Sequence, residues 1–206
     1  MPAHSVIVLD FETTGLSPRM GDRAIEIGAV RIRDGDIVER FQSLMNPGQR
    51  ISGFIEDYTG ITNAMLANAP TCAAVLRDFT DFCGNDPLVA HNASFDKRFL
   101  DSERSHIGLP ETSPFACTLL LARRLLQDAP NHQLGTLVST LDLPNDGTFH
   151  RALADAEMTA HLWLRLVDQV FLTCQQTPPS FALLQQFSRK PIKSCHLWLK
   201  KQASLI

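Results

Sequence analysis

The sequence predicts an α/β domain built on a mixed sheet, and three features of its hydrophobic pattern support this. Residues 6–10 form a short, continuous apolar run that ends in a carboxylate, which is typical of a strand buried on both faces. Residues 24–33 alternate apolar with polar or small side chains, and an Asp-Gly turn leads into a similar segment over 37–44, as in a β-hairpin. From Thr71 onward the apolar period becomes helical, and helices alternate with short strands. This order of elements is typical of an α/β fold.

Each later element has its own local signal. A helix is predicted to begin after Thr71, an N-cap residue, and to end at Gly84, a typical helix stop. A short apolar strand follows over 87–91, and a helix that contains Phe95 and Phe99 comes next. Further helices are expected over about 118–127, 133–141 and 151–173.

The 206 residues correspond to one domain with a short appendage. We place the domain at residues 1–174 and a basic, partly apolar C-terminal extension at residues 175–206. The extension holds five Lys and Arg residues and no carboxylate side chain, while residues 1–168 carry a net charge of −8. The extension either packs on the domain as a last helix or serves as a docking or single-strand-binding element. An acidic domain is poorly suited to holding a polyanion by bulk charge, unless its carboxylates carry metal ions.

Composition excludes several classes of protein. Hydrophobic residues at 44% and charged residues at 20% are ordinary for a globular domain. No apolar run approaches the roughly 20 residues of a membrane span, and the apolar run near the N-terminus is too short for a signal peptide. The five cysteines are scattered and never form a Cys-x-x-Cys pair, which argues against a zinc site or a disulfide framework. We therefore expect a cytoplasmic protein without membrane contact.

Two carboxylates stand at the end of the first predicted strand. Asp10 and Glu12 are two residues apart, so their side chains project to the same side of the strand. Facing carboxylates repel each other unless a cation lies between them, and oxygen ligands favour Mg²⁺ or Mn²⁺. The alternative is a helix-capping Asp beside a solvated Glu.

Two further segments carry candidate catalytic residues, and each also has a simpler interpretation. Asp96 falls in the first turn of a predicted helix, where a carboxylate can simply favour the helix dipole. His150 precedes the long last helix of the domain and Asp155 lies one turn inside it. A single histidine is more often a structural or surface residue than a catalytic one.

Taken together, the three segments resemble the DEDDh family of 3′–5′ exonucleases, and especially its proofreading (epsilon) branch from bacterial replicative DNA polymerases. The matching motifs are Asp10-x-Glu12-Thr13-Thr14-Gly15, His91-Asn92-Ala93-x-Phe95-Asp96 and His150-x-Ala152-x-x-Asp155. The resemblance extends over about residues 5–172, and three motifs in this order are far more specific than any one of them.

The resemblance implies a ribonuclease H-like fold, in which helices flank a mixed five-stranded sheet. It also implies two divalent cations, Mg²⁺ or Mn²⁺, that act on the attacking and leaving oxygens of a phosphodiester. Asp10 would bridge the two ions, Glu12 and Asp155 would bind the ion that holds the water, and Asp96 would support the second ion. His150 would remove the proton of the attacking water, a task suited to a side chain that titrates near neutral pH.

The resemblance also suggests residues that contact the substrate. The loop Thr13-Thr14-Gly15-Leu16 would lie against the terminal nucleotide, where Gly15 permits close approach and Leu16 could wedge beside the last base. Thr59 loosely matches a second contact loop in which the family usually has His. Phe54 either stacks on a base or belongs to the core.

Three functions remain open from the sequence. The first is a metal-dependent 3′–5′ exonuclease that removes nucleoside 5′-monophosphates from single-stranded DNA or mismatched primer ends, in proofreading or repair. The second keeps the chemistry but trims RNA 3′ ends, and the third is a catalytically idle scaffold module of a polymerase complex. The partners expected are single-stranded 3′ ends of nucleic acid and, for a proofreader, a DNA polymerase subunit.

Overall fold

The fold is built on one sheet of five strands. The computed structural model describes residues 1–109, 114–145, 147, 150–174 and 179–203. The strands are β1 (Val6–Thr13), β2 (Ala24–Arg33), β3 (Asp36–Leu44), β4 (Leu88–Ala90) and β5 (Phe115–Cys117). Their order in the sheet is β3-β2-β1-β4-β5. β1, β2 and β3 pair antiparallel, whereas β4 is parallel to both β1 and β5. The predicted mixed five-stranded sheet is therefore confirmed.

Helices cover both faces of this sheet. They are α1 (Gly53–Thr59), α2 (Asn63–Ala67), α3 (Cys72–Cys83), α4 (Ser94–His106), α5 (Thr118–Leu125), α6 (Leu134–Thr140), α7 (Ala152–Cys174), α8 (Phe181–Ser188) and α9 (Ile192–Ala203), together with a short 3₁₀ helix at Pro18–Met20. The predicted cap of α3 is present, because the Thr71 hydroxyl accepts a hydrogen bond from the Ala74 amide. Within the described ranges, no helix is long and apolar enough to cross a membrane.

The core lies in two layers on opposite faces of the sheet. One layer packs the inward side of α3 and α4 against alternate residues of β1, including Ile7 and Leu9. The other layer packs α5 and α7 against the intervening β1 residues, including Val6 and Val8. Trp163 of α7 is fully buried there, and its indole nitrogen donates to the Ala3 carbonyl over 2.8 Å. The alternation of β1 side chains thus explains its unbroken apolar run.

The C-terminal extension packs against the rest of the domain. Phe181, Leu184 and Phe187 of α8 belong to the same buried cluster as Trp163. The Gln185 side chain also donates to the Phe115 carbonyl of β5 over 2.8 Å. Of the two alternatives for this segment, the structure shows packing. The proposed boundary after residue 174 falls beside residues 175–178, outside the described residues, so the division into domain and extension stays a prediction.

Candidate active site

The far end of β1 is where the candidate catalytic carboxylates begin. β4 pairs with β1 only at Ile7 and Val8, so the later part of β1 has no strand neighbour on that side. Asp10 and Glu12 lie in this later part, and β2 places Gly28 and Glu26 opposite them. Because residues two apart share a face of the strand, both carboxylates project to the same side of the sheet.

Asp96 lies beside the later part of β1, where β4 no longer pairs with that strand. It lies in the first turn of α4 and is almost completely buried. Its Oδ1 accepts a hydrogen bond of 3.2 Å from the Phe11 amide, which has no strand partner on that side. The carboxylate therefore fixes the start of α4 against the end of β1 and stands near Asp10, whose pKa it helps to raise.

Direct backbone contact sets the position of α7. A Cβ atom added to Gly28 would lie only 2.1 Å from the Leu153 nitrogen, so β2 and the start of α7 touch without an intervening side chain. The buried Glu26 carboxylate accepts from the Ala152 amide over 3.0 Å and binds the Arg151 guanidinium through both of its oxygens. Glu26 thus caps α7 and holds its first turn, which carries Asp155, over β1.

His150 stands at the entrance of the carboxylate group. Its φ of +60° lies in the left-handed region, which is uncommon for residues other than glycine. The His150 amide donates to Asp155 Oδ2 over 2.9 Å, and this bond offsets part of the cost of the backbone conformation. Ligand-type atoms of Glu12, His150 and Asp155 lie within 4.8 Å of one another. The structure therefore brings the residues of the first and third motifs into one site.

The carboxylates repel each other strongly. Burial, followed by the charges of Asp155 and Glu26, raises the pKa of Glu12 from 4.5 to about 8. Burial and the neighbouring carboxylates also raise the pKa of Asp10 well above its usual value, and burial raises the pKa values of Asp96 and Asp155. An arrangement of this kind is suited to divalent cations, because cations would remove the repulsion and oxygen ligands match Mg²⁺ or Mn²⁺. The donor set fits the expected ions.

The raised pKa of Glu12 predicts how stability depends on pH without metal. A carboxyl whose pKa is about 8 in the folded protein and 4.5 when unfolded contributes its full stability below pH 4.5. That contribution is lost as the pH rises toward 8, at about 1.4 kcal/mol for each unit of pKa shift. In EDTA, we therefore expect the midpoint temperature of unfolding to decrease as the pH is raised from 5 to 8.

The control for this prediction is a glutamate-to-glutamine substitution outside the candidate site. Glu12→Gln should flatten the pH dependence, whereas Glu39→Gln on the exposed face of β3 should follow the wild-type curve. Mg²⁺ should raise the wild-type midpoint most at pH 8, where the carboxylates are charged. A Glu12→Gln variant that loses stability with pH as steeply as the wild type would contradict the electrostatic assignment.

A cavity of about 740 Å³ opens onto the carboxylates. Its walls include Asp10, Glu12, His150 and Asp155. All six residues predicted to contact substrate also line it, namely Thr13, Thr14, Gly15, Leu16, Phe54 and Thr59. The structure thus gathers all of these candidates around one space, while their roles stay predictions.

The threonines of this group are already hydrogen-bonded within the protein. The Thr13 hydroxyl donates to the Gly15 carbonyl over 2.6 Å, and the Thr14 hydroxyl accepts from the Arg23 amide over 3.0 Å. The Thr59 hydroxyl donates to the Ile55 carbonyl and accepts from the Ile61 amide. These hydroxyls shape the walls, so a direct contact with substrate would need one of these bonds to be shared or exchanged.

The loop after β1 is held so that Leu16 projects from it. Asp22 accepts from the Ser17 amide over 2.9 Å, and its carboxylate packs so close to Gly15 that a Cβ there would lie 2.5 Å away. Leu16 is 79% exposed at the rim of the cavity. A side chain at residue 15 would therefore have to displace the Asp22 carboxylate, and Leu16 is free to meet a ligand.

An exposed aromatic pair on α1 forms the opposite rim. Phe54 is 73% exposed, so the alternative that it belongs to the core is wrong. Its ring stacks on Tyr58 at 5.9 Å, and the Tyr58 ring lies 4.0 Å from the His150 ring. The sequence reasoning missed Tyr58, although the spacing of Phe54 and Tyr58 by four residues would have placed both on one helix face.

Glu26 is the second residue of the site that the sequence reasoning missed. Its signal was a carboxylate among the apolar and small residues of 24–30, since buried acids in such positions are almost always paired. The pairing partner, Arg151, lies 125 residues away and only the fold reveals it.

Comparison with known proteins agrees with the geometry. The model of the exonuclease family RNase_T matches residues 7–163. The chain belongs to this family. The exonuclease domain is 47% identical over 165 residues to the DNA polymerase III PolC-type of Oceanobacillus iheyensis, and 41% identical over 163 residues to that of Bacillus subtilis. These matches cover 80% and 78% of the chain but only 11% of each relative, so the chain spans about a tenth of their length.

Solved structures share the fold of this exonuclease domain. Exonuclease X in complex with 5′ overhanging duplex DNA superposes with a TM-score of 0.68 at 30% identity, over 89% of this chain and 99% of that chain. The nuclease domain of 3′hExo, a DEDDh family member bound to rAMP, has a TM-score of 0.68 at 23% identity, over 80% and 92% of the two chains. The second likeness supports the ribonuclease H-like fold alone.

Proposed function

We propose that this domain is a metal-dependent 3′–5′ exonuclease that removes nucleoside 5′-monophosphates from single-stranded or mismatched DNA ends. The observation that carries the proposal is the convergence of three carboxylates and His150 around one open cavity, with the fourth carboxylate, Asp96, buried beside Asp10. An idle scaffold would not require this convergence, because mutually repelling buried carboxylates destabilise the fold unless they bind cations.

Asp10, Glu12, Asp96 and Asp155 are the proposed ligands of two divalent ions, Mg²⁺ or Mn²⁺. When bound, such ions stabilise the charge on the attacking and leaving oxygens of a phosphodiester. The protein contributes the rigid placement of these carboxylates: β1 holds two of them, the start of α4 holds Asp96, and the Glu26 contacts hold the first turn of α7. Positions fixed in advance need little reorganisation during the reaction.

His150 is the proposed general base. Its side chain is exposed to the cavity, while its backbone is held by Asp155 and its ring by contact with Tyr58. In its uncharged form the imidazole can accept the proton of the attacking water. The ring lies close to Glu12 and Asp155, the two carboxylates proposed to hold the ion beside that water.

The rims of the cavity are the proposed contacts for the terminal nucleotide. Leu16 on one side and the stacked Phe54 and Tyr58 on the other offer apolar and aromatic surface for a base. Stacking of this kind is tolerant of base sequence and requires an unpaired base, so single-stranded ends should be preferred. Thr13, Thr14, Gly15 and Thr59 would form the remaining walls.

DNA is the proposed substrate, because the relatives at 40–47% identity are DNA polymerases and Exonuclease X is described with DNA. For the same reason a DNA polymerase subunit is the proposed partner in proofreading. We also propose a cytoplasmic location, which fits the five cysteines, all of them unpaired. RNA trimming becomes the alternative outcome of the test below.

The test compares four substrates with one 3′ label: single-stranded DNA, a paired primer end, a mismatched primer end and RNA. With Mg²⁺ or Mn²⁺ we expect the label to be released as a nucleoside 5′-monophosphate, faster from single-stranded and mismatched DNA than from a paired end. EDTA should abolish release. Faster release from RNA would overturn the choice of DNA, since the site would then accept the 2′-hydroxyl. In a second set of the same substrates that carries a 5′ label instead, early loss of that label would overturn the polarity.

A further inference from the structure

A second cavity, of about 660 Å³, lies beside the active-site cavity. The two share part of their walls, because His91 and Leu134 line both. Asn92, α5 and the loop over residues 131–133 provide the rest of the second cavity. A ligand held at the carboxylates could therefore continue into this space.

The shared wall is fixed in place by His91. Its Nε2 lies 3.0 Å from the His132 carbonyl, which can only accept, so Nε2 carries the proton. Burial lowers the pKa of His91 to about 4, so at neutral pH the ring is uncharged and its Nδ1 accepts from the Thr118 hydroxyl over 2.9 Å. His91 thus ties the end of β4 to the start of α5 and to the loop that forms the second cavity.

The two cavities differ in charge. Asp10, Glu12 and Asp155 line the active-site cavity, whereas the described residues that line the second cavity include no carboxylate. Arg123 of α5 lines the second cavity. The carboxylates attract a polyanionic strand only through the cations that they bind, whereas the Arg123 guanidinium attracts a phosphate directly.

Arg123 is free to bind a ligand. Its side chain is exposed, and it forms no hydrogen bond or ion pair with the part of the chain that the structure describes. The next residue shows the contrast: Arg124 donates to the Lys190 carbonyl and to the Leu120 carbonyl, each over 2.7 Å. One arginine of the pair therefore holds the C-terminal segment, and the other faces the cavity.

The loop opposite Arg123 presents amide groups in a fixed arrangement. Asn131 Oδ1 accepts from the Gln133 backbone amide over 2.9 Å, which closes a tight turn and leaves the Asn131 NH₂ group as a donor. The side chains of Asn131 and Gln133 are both exposed at the cavity. Such groups bind sugar and phosphate oxygens without reading the base sequence.

We propose that the second cavity binds the strand on the 5′ side of the nucleotide being removed, with Arg123 contacting one of its phosphates. The inference rests on the proposed function, because it assumes that a 3′ end occupies the carboxylate site. Three observations carry it: the continuity of the two cavities at His91 and Leu134, the absence of carboxylates from the described lining, and the unengaged guanidinium. Arginine matches phosphate geometry through paired hydrogen bonds.

The test uses two substrates that differ in whether they reach the second cavity. A decamer of deoxythymidylate has an upstream strand, whereas the p-nitrophenyl ester of thymidine 5′-monophosphate has none. Arg123→Gln should raise KM for the decamer about tenfold, as expected for the loss of a charge-assisted contact, and leave kcat within about twofold. The slope of log kcat/KM against log salt should fall by about 1. Both constants for the ester should stay unchanged.

Matched variants separate this role from general effects of charge or folding. Arg77→Gln, on an exposed position of α3 that lines neither cavity, should behave as wild type on both substrates. Arg123→Lys should restore part of the affinity for the decamer. The inference is overturned if Arg123→Gln matches Arg77→Gln on the decamer, or if it weakens both substrates equally.

Failure of the proposed function gives a different result. In that case the wild type hydrolyses neither substrate with Mg²⁺ or Mn²⁺. Fluorescence anisotropy of the labelled decamer still tests the second cavity, because Arg123→Gln should weaken binding about tenfold relative to Arg77→Gln. Equal binding by the two variants would reject the inference.

Discussion

Replacing Asp155 with asparagine is expected to lower turnover at least about a thousandfold and to make the metal-free protein more resistant to heat. The loss of rate follows because the variant removes one anionic ligand of the proposed ions, whose charge stabilisation supplies several kcal/mol to the transition state. The gain in stability follows because burial raises the pKa of Asp155 and its charge raises the pKa of Glu12. A neutral side chain of the same shape relieves both penalties.

The change keeps the contacts that position α7. Asparagine can still accept from the His150 amide through its side-chain oxygen, so the first turn of the helix should stay in place. Asp168→Asn is the matched control, because it lies on the same helix with its side chain 61% exposed. Turnover on single-stranded DNA and the unfolding midpoint in EDTA are the two measurements. If the Asp155→Asn variant keeps more than a tenth of wild-type activity, the assignment of Asp155 as a metal ligand is wrong.

The parts of the fold that the sequence predicted are those where local and tertiary preferences agree. β1 reads as a buried strand because helices cover both of its faces, and α3 has a cap, a helical stripe and a glycine stop that all indicate the same boundaries. The hairpin turn is equally direct, since Asp34 and Gly35 both adopt the positive φ that such a turn requires.

The missed elements are short. α1 and α2 contain seven and five residues, too few for a hydrophobic period to show, and their caps at Ser52 and Thr62 were the available signals. β5 contains three residues and is defined by pairing with β4 rather than by its own pattern. Missing α1 had a consequence for the site, because Phe54 and Tyr58 become one rim of the cavity only when they share a helix face.

The candidate site was predictable as a set of residues but not as a geometry. The spacing of Asp10 and Glu12 follows from strand alternation alone, whereas their distance from Asp155 depends on the contact between Gly28 and the start of α7. That contact depends on the register between β1 and β2, and it joins residues that are more than a hundred positions apart in the chain. Glu26 acts through the same long-range contact, so its role could not be read from its neighbours in sequence.

Replacing His150 is expected to reduce turnover by roughly two to four orders of magnitude, the usual contribution of a positioned general base. The replacement must suit the left-handed backbone, whose φ is +60° at this position. His150→Asn is the best choice, because asparagine tolerates this region better than most residues. His150→Gln retains more of the side-chain length, and agreement between the two variants would exclude a backbone effect.

The structure allows a second role for His150, and the same variants distinguish it. The ring nitrogen lies within 4.8 Å of carboxylate oxygens of Glu12 and Asp155, so it could serve as a ligand to a cation rather than as a base. A ligand role predicts that Mn²⁺ affinity, measured by calorimetric titration, falls together with turnover. A base role predicts that affinity stays within a few-fold of wild type while turnover collapses, because all four carboxylates are intact.

The exposed His106 of α4 provides the matched control, since His106→Gln changes the same kind of side chain outside the cavity and should leave both Mn²⁺ affinity and turnover unaffected.

The contact with Tyr58 adds a further distinction. Tyr58→Ala removes the ring that lies 4.0 Å from His150 but leaves the imidazole itself, so its loss of turnover should be smaller than that of His150→Asn. If Tyr58→Ala lowers turnover as much as His150→Asn does, His150 contributes through its ring contact with Tyr58 and not through proton transfer. If His150→Asn keeps wild-type turnover, neither role is correct and the water must lose its proton to another group.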